Sequence, residues 1–332
     1  MKIPRLMATL TAPFLPLALV AGPALAGLEE LTAGHILPGH HAFAEDTAAL
    51  AETAAADCLG DETRAAYQQA FDAWMGISHI QFGPIEQLNL GLAVAYWPDP
   101  KNRTGKALLG LIADEDPVAY DRAAYREVSI AAQGLFALER LLYDPAFTAD
   151  AYTCALTTAI AGGLADTALM LDEAWQGYAE ILTRPGPENP VYPSQADAAR
   201  KAYTALLGGL EFTRDQRLGR PLGSFDRPRP NRAEARLAGR SQRNVELSLA
   251  ALQEMARTLA DDPTPRTEVA FAAARRRAAE LDDPVFAGVA DPMERFRVES
   301  LVQEIRDIQT ELGTEIGSAL GVSAGFNALD GD

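Results

Sequence analysis

Apolar positions in this chain recur at helical spacing almost from end to end. Tyr67, Phe71, Trp74 and Ser78 follow an i, i+4, i+7, i+11 pattern, which gathers them on one side of a helix. Val128, Ala131, Leu135, Leu138 and Leu142 keep a heptad-like stripe, and Ile160, Leu164, Thr167, Leu171, Trp175 and Tyr178 form a third. Tyr203, Leu206 and Leu210 give a shorter fourth, and Leu301, Ile305, Ile308, Leu312 and Ile316 a long late one. Runs of alternating β-branched residues between turn signals are missing. The pattern predicts an all-α, helix-bundle protein.

Proline sets the punctuation. Between Thr183 and Ser194 lie Pro185, Pro187, Pro190 and Pro193 with Gly186, a stretch that cannot continue a helix. A second irregular stretch, Gly219 to Pro230, holds Pro221, Pro228 and Pro230. The first break falls near the middle and predicts an N-terminal bundle over 27–185 and a C-terminal bundle over 186–332. One continuous bundle with a long surface loop is the alternative.

The first 26 residues change the address. Lys2 and Arg5 precede an apolar stretch from Ala8 to Val20, and Ala24-Leu25-Ala26 is a small-x-small cleavage site, so 1–26 reads as an export signal. No cysteine follows the apolar run, which disfavours a lipid anchor, and no transmembrane segment is expected after cleavage. The expected location is the periplasm, with Gly27 as the new N-terminus. Losing Lys2 and Arg5 leaves 27 basic against 46 acidic side chains, a net charge of −19. Such a surface disfavours nucleic acid, whose binding rests on neutralising phosphates. Cys58 and Cys154 survive cleavage; in an oxidising compartment they read as a disulfide, ahead of two buried thiols or a metal site.

Several strings resemble the imelysin-like family of bacterial exported proteins: Phe71-Asp-Ala-Trp74, Phe82-Gly83-Pro84, Trp97-Pro98-Asp99, Gly134-Leu-Phe-Ala-Leu-Glu139 and the terminal Gly325-Phe-Asn-Ala-Leu-Asp-Gly-Asp332. They follow the family's order across most of the chain. The resemblance implies two related helical bundles with a pseudo-repeat, a site between them, and an association with iron acquisition. It also implies a metallopeptidase label that fits only some members.

The family's proposed metal motif is GxHxxE, and the matching positions here are Gly134, Phe136 and Glu139. A phenyl ring coordinates nothing, and no HExxH or inverted equivalent occurs in the chain. The resemblance therefore implies no peptidase activity for this member, and no catalytic residue is assigned. Glu139 reads either as a carboxylate paired with Arg140 or another arginine, or as one ligand of a cation such as iron or another divalent metal. His35, His40 and His41, beside Glu45 and Asp46, are a further candidate metal cluster; the alternative is an extended lead-in to the first helix.

Nine of the 25 arginines fall between Arg214 and Arg243, offset only by Asp215, Asp226 and Glu234. With Asn231 as a helix cap, Arg232, Arg236, Arg240 and Arg243 would share one face. Guanidinium forks in a row suit carboxylates or phosphates, so an anionic small ligand or iron chelate is one reading and internal salt bridges the other. Arg227, Arg229, Arg236, Arg240 and Arg243 are the candidate anion ligands, with Glu139 and Trp97 across a cleft and Glu86, just beyond the Phe82-Gly83-Pro84 helix stop, a further candidate. Trp74 and Trp175 sit on apolar stripes and read as core. Three functions follow: a periplasmic binding or accessory protein linked to iron uptake, a metallopeptidase with a degenerate site, or an acidic interaction module.

Overall fold

The structure, a computed structural model, describes residues 26–260 and 262–321. The expected export signal, all but its last residue, and the Gly325–Asp332 string lie outside the described residues. The chain is all-α, with no strand among the described residues beyond a single bridge between Ser224 and Arg227. Nine main helices carry the fold. In the first half they are α1 (Leu37–Ala56), α2 (Asp61–Ile77), α3 (Arg103–Asp114), α4 (Gly134–Tyr143) and α5 (Ala151–Thr183). In the second they are α6 (Gln195–Glu211), α7 (Ser241–Leu259), α8 (Pro265–Glu280) and α9 (Pro292–Leu312).

α5 is the central rod of the first group, packed on α1 and α4, while α1 also lies along α2. Its start is fixed by a capping box in which Asp150 accepts from the Thr153 amide and Thr153 accepts from the Asp150 amide. It is long and apolar enough by length and composition to cross a membrane, and its Leu156, Ile160, Leu164, Leu171 and Trp175 are buried in the bundle. Each such buried Leu or Ile contributes roughly 1.5–3 kcal/mol relative to exposure. In the second group α8 packs between α7 and α9, and α6 lies on α7. The two groups meet where α2 crosses α7 and where the rod over 26–36, before α1, lies on α7. All four prolines of the 183–194 stretch fall in the loop between α5 and α6.

Two prolines inside helical rods leave a mark upstream. Proline lacks the amide proton for residue i−4 and its ring collides with that carbonyl. Before Pro38 the rod that begins at Ala26 widens into a π-turn over Thr32–Ile36, and before Pro221 the continuation of α6 does the same over Phe212–Leu218. The histidines are therefore not in an extended lead-in: Pro38 and Gly39 are accommodated inside a continuous helical rod. Gly39 lets α1 approach α2, since a Cβ there would lie 2.5 Å from the Ile77 side chain.

The stripe from Val128 to Leu142 also needs correction. α4 begins only at Gly134, whose φ is +69° and whose missing Cβ makes room for the Ala93 and Val94 carbonyls. Val128 and Ala131 sit in the turns before it, Ala131 buried and Val128 partly buried against the core. Cys58, just after α1, and Cys154, in the first turn of α5, form the expected disulfide with a Cα–Cα distance of 5.2 Å.

Candidate functional site

Between the two helix groups lies a cleft with two cavities that share Trp97 and Phe136 as walls. Trp97 is held in the loop between a short helical turn, Gly91–Val94, and α3. Its ring is stacked on Phe136, with centroids 6.3 Å apart and planes 16° apart, and Phe212 meets it edge-on at 5.8 Å. Phe136 in turn sits edge-to-face with Phe71 at 5.7 Å. The side chain two residues beyond Gly134 on α4 is thus one leaf of an aromatic stack.

The larger cavity, about 540 Å³, is bounded by aromatic rings and by Gly208 and Gly209 of α6. At its base Arg217 Nε donates to Glu234 at 2.8 Å, both buried, and its Nη1 donates to Thr213 and Ser248, each at 3.1 Å. Asn244 adds a second hydrogen bond to Glu234 at 2.9 Å. That satisfaction is what allows a buried ion pair to persist. The π-turn supplies the geometry, because Phe212 and Arg217 both lie on it. Beside it, His79 shares a 3.0 Å Nε2–Nε2 hydrogen bond with His35, and burial holds His79 well below the usual imidazole range and His35 at about 4. At the mouth Lys201 pairs with Glu86 at 3.1 Å, both partly exposed.

The smaller cavity, about 220 Å³, is lined by Thr104, Glu139, Arg140, Arg220, Arg232 and Arg236 as well as by the shared aromatic pair. Arg140 is engaged by Asp144 at 2.6 Å and Asn102 at 2.8 Å. Arg220, Arg232 and Arg236 have no carboxylate partner among the described residues. Arg220 lies over the Trp97 ring at 5.6 Å, and burial, with Arg232 adding to it, lowers its pKa. Two buried polar atoms on this wall, Arg220 Nε and Thr104 Oγ1, make no hydrogen bond. Glu139 is buried and accepts from the Ala238 amide at 3.1 Å; burial, against that bond, raises its pKa to about 7.

The structure brings Trp97, Glu139 and Arg236 together and separates the other candidates. Arg232 belongs to a 3-10 turn, Pro230–Arg232, and α7 starts only at Ser241, so Asn231 caps no helix and the four-arginine face does not form. Ala235 at φ +46° and Gly239 at φ +70° turn the chain where that helix would run. Arg240 and Arg243 are both taken by Asp72 of α2: Arg240 Nη2 at 2.7 Å and Arg243 Nε at 2.8 Å. Burial pushes the Asp72 carboxyl up, and these hydrogen bonds outweigh it and hold it below its ordinary value. Arg240 also donates to Gln68 and Asn244 and is fully buried, so neither it nor Arg243 forms an anion wall. Arg227 and Arg229 have no carboxylate partner among the described residues but do not line the cavity. Glu86 stands at the mouth of the larger cavity, and Arg140 turns to Asp144 rather than to Glu139.

The three histidines do not converge. His35 faces His79, His40 bonds the Ile36 carbonyl of its own rod at 2.8 Å, and His41 lies exposed between Glu45 and Asp172. No group of three or more His, Cys, Asp or Glu side chains that could hold a metal ion occurs among the described residues. The residues around Glu139, an aromatic stack and backbone amides, do not fit a zinc or iron centre. Sequence reasoning missed Phe212, His79 and the Arg217–Glu234 pair as cavity residues. Only the crowding of arginine around Pro221 hinted at the last.

The family model described as Imelysin, a peptidase family, matches residues 36–312. No curated protein matches the chain. Among solved structures, an imelysin-like protein from Psychrobacter arcticum 273-4 superposes with a TM-score of 0.74 at 19% identity, covering 91% of this chain and 98% of that one. A protein from Parabacteroides distasonis ATCC 8503 with the provisional name iron-regulated protein A precursor gives a TM-score of 0.59 at 13% identity, covering 89% and 95%. At such identities the likeness is one of fold. The family match, spanning most of both helix groups and the cleft between them, establishes that the chain belongs to the imelysin family.

Proposed function

We propose that this imelysin-family chain is a periplasmic binding or accessory protein serving iron uptake, without peptidase activity, that holds an anionic ligand such as a carboxylate-bearing iron chelate in the smaller cavity. One observation carries the reading. Three arginines without a carboxylate partner among the described residues face one cavity of a protein whose sequence has 46 acidic against 29 basic side chains. In so acidic a chain, three guanidinium forks without carboxylate partners, one of them with its Nε buried and unbonded near the equally unbonded Thr104 Oγ1, form an arrangement that an incoming anion would complete. The link to iron is supported by the family resemblance and by the name of the Parabacteroides structure. The absence of peptidase activity is supported by Phe136, an aromatic leaf at the position that matches the motif's histidine. The periplasmic site rests on the leader read from the sequence.

The test is a thermal-shift and calorimetric series with citrate, ferric citrate and a uronate oligosaccharide. A ligand of the native state raises its apparent stability. The expected result is a shift with at least one carboxylate ligand that Arg236→Gln and Arg220→Gln each remove, with the helical signal intact. No shift with any of them, or a shift indifferent to both substitutions, would refute the anion site. Zinc-dependent cleavage of a denatured protein, abolished by Glu139→Gln, would restore the peptidase reading.

A further inference from the structure

The two cavities have opposite chemistries on either side of one aromatic seam. In the larger one, Trp74, Phe82, Trp97, Phe136 and Phe212 supply ring faces and edges. Its fixed charges are already matched, Arg217 with Glu234 and Lys201 with Glu86. A charged group entering there would lose hydration without gaining a free counter-ion, whereas a flat apolar ring would gain aromatic contact. Its volume of about 540 Å³ lies in the range that encloses a small organic ligand. In the smaller cavity the balance reverses: three guanidinium groups lack carboxylate partners among the described residues. Trp97 sits at the seam, with Phe212 against its edge at 5.8 Å on the larger side and the Arg220 guanidinium over its face at 5.6 Å on the smaller.

Resting on the anion reading above and naming the rest of the ligand, we infer that the two cavities are subsites of one binding site for an aromatic acid. The ring system lies among Phe82, Trp97, Phe136 and Phe212, and its carboxylate reaches Arg220, Arg232 and Arg236. Neither half suffices alone: a short carboxylate leaves the aromatic slot unfilled, and a neutral ring leaves the arginines unpaired.

The experiment titrates the full chain with 2-naphthoate, 2-naphthalenemethanol and citrate, by calorimetry and by tryptophan fluorescence. The expected result is that naphthoate binds about tenfold or more tightly than either of the others and competes with citrate. Phe212→Ala is expected to weaken naphthoate about tenfold while leaving citrate within about twofold, and Arg220→Gln to weaken both. Should the alanine variant fail to fold, Phe212→Leu keeps the bulk, removes the ring, and should show the same selective loss. Citrate binding with naphthoate no tighter overturns the shared site and leaves the anion reading standing. Naphthalenemethanol and citrate binding together as independent ligands, with no advantage for naphthoate, also overturns it. Failure of both citrate and naphthoate to bind overturns this inference, and the anion reading falls with it where ferric citrate and the uronate oligosaccharide also give no shift.

Discussion

At Glu139 the cost of taking a carboxyl group out of water is only partly offset, by the Ala238 and Leu237 amides and the nearby charge of Arg140. Arg140, its neighbour in sequence, is occupied by Asp144, and the nearby Tyr67 hydroxyl is buried without a hydrogen bond. Burial raises the Glu139 pKa from its ordinary value of 4.5 to about 7. Below about pH 4.5 the group is neutral whether the chain is folded or not, so its contribution is fully present there. As pH rises towards 7 the unfolded chain ionises first, and stability falls by about 3 kcal/mol before levelling off. Glu139→Gln keeps an acceptor for the Ala238 amide and cannot ionise. Urea unfolding should therefore find the variant close to wild type at pH 4.5 and more stable, on the order of 2–3 kcal/mol, at pH 8. A parallel pH dependence in both proteins would contradict this account.

At the scale of elements, the rods were legible because burial imposes a period on the sequence. The stripes on α2, α5, α6 and α9 are the buried faces observed, and Trp175 is enclosed as its stripe demands. Boundaries were less legible where backbone exceptions intervene. Gly134 and Ala235 adopt positive φ: α4 starts only at the first and no helix runs through the second, where side-chain spacing alone would place one. The cysteine pair was legible because the sequence carries just two, behind a leader that reads as an export signal. It ties the end of α1 to the start of α5 across a separation of 96 residues, and closing so long a loop removes unfolded-state entropy worth on the order of 4 kcal/mol. Replacing both cysteines by serine should lower unfolding stability by about 3–4 kcal/mol and leave the helical signal unchanged. A loss below about 1 kcal/mol would show that the reduced chain already holds α1 and α5 together.

For the molecule as a whole, the least legible feature is what joins its halves. The arginine cluster was visible in the sequence, but its largest consumer, Asp72, lies about 170 positions away on α2. Long-range pairing of this kind leaves no local period. Arg240 is buried at the N-terminus of α7, with its guanidinium 4.2 Å from the Phe71 ring centre and its hydrogen bonds spent on Gln68, Asp72 and Asn244. Removing the carboxylate would leave that charge uncompensated where α2 and α7 cross. Asp72→Asn should cost about 3 kcal/mol or more, well above the 0–1 kcal/mol of an exposed pair such as Arg184–Glu180. Chemical denaturation of the two variants, Asp72→Asn and Glu180→Gln, checks the contrast. Part of the cluster is thus structural and part lacks a carboxylate partner among the described residues, a division that neither reading of the sequence anticipated.

Gly208 on α6 faces the larger cavity, and a Cβ placed there would meet no atom within 4 Å, whereas one at Gly209 would strike Leu252 and His79. A glycine inside a helix is worse than alanine by about 0.5–1 kcal/mol. The chain therefore gives up stability at a position where packing does not ask for glycine. Position 208 is in effect a dial: each added carbon would shrink the chamber while the scaffold stayed put. Related chains could diverge in what they accept through this one residue, with the surrounding helices inherited unchanged.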